Sequence, residues 1–333
     1  MTSRYTPSRL SSLETFLIRL QGCILRALLD SLGIDTIISL RQTSSRLYAL
    51  CKSYENITWD INTKLQDWFE NTATFLYVMD YCGAIISGSF AVQFFDRTKY
   101  SDDDLDIYIR VGAFEIMGRW LEMQGYRRVD TQIDDEYDNP IYTEDPILRD
   151  VERFVVQCIE TKGFPETSFL GAVEFIKDAE ESGTKKTVRL SVVDRNPVEH
   201  ILFHSHSSTL INIITSYEAI SVFPKSSFLH RVSYVCRTPE SLLESLPECL
   251  NKCRKRGFQI IRKEEDEKTS AISYGPREVR DDKCWVIKFP REQPSDEIRG
   301  IYGPSTVEIP FNVSLLKWES RHDISFRIEL TAV

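Results

Sequence analysis

The chain has no uninterrupted apolar run approaching the ~20 residues of a membrane span, and the stretch from Met1 to Leu20 never gathers the apolar core of about 7–15 residues that a secretory signal requires. These absences lead us to expect an intracellular protein, cytoplasmic or nuclear, with no membrane partner. No two of the 14 glycines stand one residue apart, which excludes the dinucleotide-binding fingerprint. Gly83 and Gly88 have the spacing of half a P-loop, but Ser89 stands where lysine must reach the phosphates, so an ordinary P-loop NTPase is not expected. Thiol pairs at metal-binding spacing are lacking as well. Of eight cysteines only Cys249 and Cys253 can share a helix face, and neither a second pair nor a histidine stands near them, which argues against zinc. The remaining cysteines are scattered and read as small hydrophobes of a reducing compartment. The sequons at Asn56 and Asn312 carry no meaning without secretion. There is no internal repeat and no low-complexity tract.

What is present suits a folded protein with a sizeable core. The 333 residues are 42% hydrophobic and 11% aromatic, and 41 basic against 50 acidic side chains give a net charge of −9, which excludes a basic nucleic-acid coat and makes nucleic acid an unexpected partner. The charge is concentrated. Asp130 to Glu152 holds nine acids against the single base Arg149, a net of −8, and with Asn139-Pro140 and Pro146 it reads as an exposed loop.

Apolar residues recur at helical spacing from Leu13 to Leu50 and predict two or three short helices, punctuated by Gly33 and Asp35. A further helix is expected through Leu65, Trp68 and Phe69. After Gly83 a short apolar segment leads into Ser87-Gly88-Ser89, then a helix with Phe90 to Phe95, a strand from Leu105 to Val111, a helix from Ala113 to Met123 and a strand from Tyr126 to Val129. Strands are expected at Phe154 to Ile159, Phe169 to Ile176 and Thr187 to Val193, and helical spacing returns from Ser208 to Ile220. The tail predicts a helix from Ser241 to Cys253 with a break at Pro247, and strands at Phe258 to Ile261, Trp285 to Phe289 and Ile324 to Leu330. The mixture argues for an α+β or α/β core behind a helical N-terminal module.

The chemistry-bearing pattern is Ser87-Gly88-Ser89 followed by Asp104-Leu105-Asp106-Ile107. On a strand the carboxylates of Asp104 and Asp106 point to one face, about 7 Å apart, while Leu105 and Ile107 enter the core. Two hard oxygen ligands so placed can share magnesium, which completes its shell with water and phosphate oxygens. A Gly-Ser turn opening a helix supplies backbone N–H groups and a hydroxyl for a triphosphate. The bland alternative is that Asp102, Asp103, Asp104 and Asp106 form a solvated turn before a strand.

The stretch from Gly83 to Tyr108 resembles fungal proteins with a nucleotidyltransferase fold of the DNA polymerase β type. The similarity continues through Asn196-Pro197-Val198-Glu199, the His206 to Thr215 segment with Asn212, and Asp282 to Ile287. The resemblance implies an α+β fold, a mixed sheet with helices, divided into an F-box-like module (10–70), a transferase-like core (75–235) and a C-terminal α/β extension packed on the core (236–333). It implies Ser87, Gly88 and Ser89 as nucleotide-phosphate binders, Asp104 and Asp106 as magnesium ligands and catalytic residues, a nucleoside triphosphate as ligand and, for the segment Ile24 to Leu50 with Asp35 in its turn, an F-box linker protein as partner. That segment lacks the usual Leu-Pro opening. Active members carry a third carboxylate on a later strand. The comparable places here hold Arg189 and Ser191, and Asp194, just past the strand, is the one acid nearby and the candidate third catalytic residue. Arg189 can instead neutralise the pair as a metal substitute. Three readings therefore stand side by side: a weakened or inactive transferase-fold protein, an active Mg-dependent nucleotidyltransferase, and a ubiquitin-ligase substrate adaptor.

Other features suit structure better than chemistry. His200, His204 and His206, near Glu199, lie among Ile201, Leu202 and Phe203 and are expected to pack or cap. The basic run Lys252 to Arg256 is expected to stabilise a helix end and meet water. The five tryptophans have no regular spacing and read as core.

Overall fold

A computed structural model describes residues 10–100, 104–129, 169–178, 185–236, 246–261, 271–290, 307–320 and 323–333. The acidic segment from Asp130 to Glu152 and the strand expected at Phe154 to Ile159 lie outside these residues. The chain divides into two units after Asp60.

The first unit is four helices: α1 (Ser12–Arg19), α2 (Gly22–Ser31), α3 (Ile34–Thr43) and α4 (Ser45–Thr58). Ser11 and Glu14 form a capping box at the start of α1, each side chain bonding the other's backbone N–H. Leu29, Ile37, Cys51 and Tyr54 form the unit's small core, and the Tyr54 hydroxyl donates to Asp30 at 2.7 Å. Asp35 falls in the first turn of α3 rather than between helices, where an acid suits the positive end of the dipole. Of the periodic apolar residues, Leu13, Phe16, Ile24 and Ile38 point outward and are exposed.

The second unit opens with α5 (Ile61–Leu65) and α6 (Thr72–Cys82). The expected helix through Trp68 and Phe69 stops at Leu65; Phe69 instead stacks on Phe75 at 4.1 Å and meets Trp120 at 5.2 Å, and this packing assigns the segment after Asp60 to the second unit. Gly83, at φ 59°, closes α6 in the left-handed conformation that glycine tolerates.

The described strands build a mixed eight-stranded sheet. In chain order they are β1 (Ile85–Ser87), β2 (Asp104–Arg110), β3 (Arg127–Arg128), β4 (Phe169–Asp178), β5 (Lys185–Val193), β6 (Asn212–Ile214), β7 (Glu218–Ser221) and, after β8 to β10, β11 (Trp285–Lys288); their spatial order is β11-β7-β6-β1-β2-β5-β4-β3. The pair β2–β5 is parallel and every other neighbouring pair in this sheet is antiparallel. This is an α+β architecture behind an N-terminal helical region. Helix α7 (Gly88–Asp96) follows β1, α8 (Phe114–Met123) follows β2, α9 (Pro197–His204) follows β5, and α10 (Leu246–Lys255) lies later in the chain. In β2 the alternation holds: Leu105, Ile107 and Ile109 are fully buried, each worth about 1.5–3 kcal/mol, and Asp104, Asp106 and Tyr108 face the other way.

The helix expected from Ser208 to Ile220 is a hairpin: a short turn of 3-10 helix, then β6 and β7. Ile211, Ile213, Ile214, Ala219 and Ile220 are buried on both sheet faces, so no strand alternation was visible, and short apolar runs do not distinguish strand from helix. The turn is set by Thr215, whose hydroxyl oxygen accepts the N–H groups of Tyr217 and Glu218 at 3.2 and 3.1 Å.

In α10, Pro247 stands in the first turn, where its missing N–H costs nothing. Strands β8 (Val232–Tyr234) and β9 (Gln259–Ile261) pair in parallel, and β10 (Gly275–Glu278), β12 (Pro310–Ser320) and β13 (Asp323–Ala332) form a third sheet. Pairing of β11 with β7 brings residues 285–288 into the main sheet.

Candidate functional site

Ser87 ends β1 opposite Asp106 of β2. Gly88 then turns the chain into α7 at φ +65°, a conformation that disfavours any Cβ, and a Cβ built there would collide with the Asp106 carboxylate. Gly88 is thus required both by the backbone angle and by close approach of a functional side chain.

The phosphate-cradle groups are already engaged. The Ser87 hydroxyl is buried and donates to the Asn212 carbonyl at 2.7 Å, so it ties β1 to β6 instead of facing a ligand. The Ser89 backbone N–H donates to the Asp106 carboxylate, and the Ser89 hydroxyl oxygen accepts from Arg256 at 2.8 Å.

Asp104 and Asp106 share a face of β2, as the spacing requires. Parallel pairing sets Arg189 beside Asp106, and antiparallel pairing sets Glu174 of β4 beside Arg189. The guanidinium bridges the two acids, with Nη1 3.6 Å from Asp106 Oδ1 and Nη2 3.0 Å from Glu174 Oε1. The Asp106 carboxyl is raised to about 6: burial and the charge of Asp104 push it up, and Arg189, Lys252 and the Ser89 N–H, which favour the anion, hold the rise back.

Asp194 does not join this row. The register Asp106↔Arg189 puts it five positions beyond Arg189, about 16 Å along the strand direction, and its carboxylate lies 4.0 Å from Arg195. Among the described residues no three His, Cys, Asp or Glu side chains come together to hold a metal ion. The donor set does not fit a shared magnesium ion: Asp106 is neutralised by Arg189, whose cation would stand within a few ångströms of any metal ion held by that carboxylate.

The row opens onto a cavity of about 510 Å³. One wall is the sheet and the start of α7, with Gly88, Asp106 and Arg189; the facing wall is α10 and the residue after it, with Cys249, Lys252 and Arg256. The run from Lys252 to Arg256 therefore does more than cap a helix. Arg256 is seated on the Tyr100 ring at 4.6 Å and its carbonyl accepts from Arg231 at 2.6 Å, while Arg231 pairs with Asp96 at the end of α7.

His200 packs between His204 at 5.0 Å, Tyr108 at 5.6 Å and Phe169 at 5.7 Å, and burial, with a smaller push from His204, lowers it to about 3. It is a neutral ring of the cavity floor. The sequence pattern gives no role to Glu174, and it singles out the basic run Lys252 to Arg256 and the pair Cys249 and Cys253 without placing them at a cavity. The only signal for Glu174 was its place at the middle of an expected strand. For Arg256 there was none, since its partner Ser89 lies 167 residues away.

The arrangement is chemically a cationic recess with a neutralised acid at its base, suited to holding a phosphorylated ligand by Arg and Lys side chains. No protein-family model, no curated protein and no solved structure matches the chain.

Proposed function

We propose that the second unit is a nucleotidyltransferase-like domain that binds a nucleoside triphosphate in the β1–α7–β2 cavity without a catalytic metal ion, its transferase chemistry weakened or lost. The observation that carries this reading is Arg189, ion-paired with Asp106 and Glu174 where an active member needs a carboxylate. Lys252 and Arg256 on the facing wall support it, because they supply charge complementary to a polyphosphate without a bridging ion. The protein works inside the cell, in cytoplasm or nucleus.

The test is thermal denaturation with ATP in EDTA and in magnesium, beside an assay for transfer of labelled nucleotide. A hundredfold excess over Kd is expected to raise Tm by about 5 °C in both buffers, with no label transferred. No shift in either buffer overturns nucleotide binding. A shift that needs magnesium, with label transferred, establishes the active transferase instead.

A second reading concerns the first unit. Leu13, Phe16, Ile18, Ile24, Tyr48 and Ile57 are each exposed on its helices. We propose an F-box-like docking module for a linker protein of a ubiquitin ligase, with the second unit presenting substrate. Co-purification with such a linker, lost on deleting residues 1 to 60, is the expected result; retention by the deleted chain refutes it.

A further inference from the structure

The cavity has a second end, lined by rings. Tyr108 follows Asp106 by two positions on β2, so it faces the same way about 7 Å farther along the strand. Parallel pairing sets Ser191 of β5 beside it, as it sets Arg189 beside Asp106, and the Tyr108 and Ser191 hydroxyls are hydrogen-bonded. Helix α9 brings two more rings. Its start is fixed by the Asn196 side chain, which accepts the Val198 N–H at 3.1 Å, and by Pro197 in the first turn. His200 and His204 stand one turn apart and share a face of it. Their planes differ by 16°, and those of Phe169 and Tyr108 lie 28° and 33° from the plane of His200. The His204 Nδ1–H donates to the His200 carbonyl at 3.3 Å, which holds that ring in place. All four rings line the cavity. His200 is buried, while Tyr108, Phe169 and His204 are only half-buried. Rings that merely fill a core are enclosed, as Phe94 and Phe95 are. Burial lowers both histidines, so at neutral pH these rings carry no charge.

We infer that this end of the cavity is a subsite for a planar heteroaromatic ring, received by Tyr108, Phe169 and His204, with the ligand's phosphates toward Lys252 and Arg256. The inference rests on the nucleotide reading above and adds the part of the ligand that the cavity selects. Uncharged aromatic rings attract one another in offset stacks with centroids about 4.5–7 Å apart, the separation these four already keep. A nucleobase offers the same kind of face, whereas a sugar or a saturated chain gains burial there without ring contact. The step of about 7 Å along β2 and β5 separates a charged end, at Asp106 and Arg189, from a ring end, at Tyr108 and Ser191. That matches the order of parts in a nucleotide, with the ribose between phosphate and base. Stacking accepts any base, so the subsite distinguishes ligands with a ring from those without one more sharply than one base from another.

The test is calorimetric titration of the full chain, in EDTA, with ATP and with inorganic tripolyphosphate, which has the phosphates and no ring. ATP is expected to bind about tenfold tighter. His204→Ala is expected to weaken ATP by about tenfold and to leave tripolyphosphate within about twofold, and His204→Phe, which keeps a ring, to restore most of the ATP affinity. Saturation-transfer NMR on the wild-type chain needs no variant to fold: the base protons of ATP are expected to receive more magnetisation than its ribose protons. Equal affinity for ATP and tripolyphosphate overturns the ring subsite and leaves phosphate binding standing. Binding of neither removes the nucleotide reading, and the subsite with it. A His204→Ala chain that loses ATP and tripolyphosphate alike shows that the ring only packs the fold, and overturns the subsite equally.

Discussion

The two walls of the cavity are built from unlike material. On the sheet side, Asp106 and Arg189 line the cavity and Glu174 stands behind them beside Arg189, each set beside the next by strand register. On the helix side, Lys252 and Arg256 reach the cavity from a helix remote in sequence, and Arg256 meets Ser89 through a long side chain steadied on Tyr100. A register row is specified by the backbone, so its charges have fixed neighbours and their balance is part of the fold. The helix-side cations stand on long side chains beside the recess, Arg256 held by Ser89 and Tyr100 and Lys252 by an exposed pair with Glu248, so their positions are set by side-chain contacts rather than by backbone register. The sheet side should therefore respond to substitution mainly in stability, and the helix side mainly in binding.

The sharpest way to break that contrast is Gly88→Ala. The left-handed backbone at φ +65° costs an alanine about 1–2 kcal/mol. The new Cβ also displaces the Asp106 carboxylate from the Ser89 N–H and from Arg189. Together these predict a loss of about 2–4 kcal/mol in urea denaturation at pH 7. A change within about 0.5 kcal/mol, the range of ordinary surface substitutions, would mean that the row is not rigid.

Arg189→Gln is the next largest, and its signature is pH dependence. A carboxyl raised to about 6 in the folded protein holds its proton where the unfolded chain, with its midpoint near 4, has lost it. The group therefore favours folding below about pH 4, and that advantage is lost as pH rises through about 6. Removing the guanidinium raises the folded carboxyl further. The variant should be close to wild type at pH 4.5 and less stable by about 1–2 kcal/mol at pH 7.5. Arg189 is 40% exposed at its side chain, which keeps the expected loss below that of a fully buried pair. An equal loss at both pH values would show that packing, rather than charge balance with Asp106, is what Arg189 provides.

The same contrast decides what could be read without coordinates. The sheet side was largely legible: the alternation in Asp104 to Ile107 and the Gly88 turn are local patterns, and Arg189 was named as a possible partner for the acids. Its pairing with Asp106 in particular is a fact of parallel register between strands about eighty residues apart, which no local pattern contains. Asp194 was attractive as the one nearby acid, and the same register carries it past the row. Ser87 looked like a phosphate ligand by position, but its hydroxyl is taken by a carbonyl of β6. That strand itself was hidden, because Ile211 to Ile214 are buried on both faces and show no alternation. The α10 wall was illegible because a basic run at a helix end looks the same whether it meets water or a recess, and nothing local shows that Cys249 and Cys253 line one.

Lys252→Ala should have the smallest effect on folding and separates the walls most cleanly. Its ammonium pairs with Glu248 one turn away at 3.4 Å, and both side chains are about half exposed or more, at 47% and 74%. Such a pair contributes about 0.3–0.5 kcal/mol, so the variant should unfold within that margin of wild type. If the helix wall serves a ligand, the thermal shift with ATP should fall by about half even though the protein alone is unchanged, since one of the cavity's cations has gone. A Lys252→Ala chain that loses stability comparable to Arg189→Gln would place both walls in the structural class. One that keeps the full ATP shift would assign the ligand's charge to Arg256 and Arg189 alone.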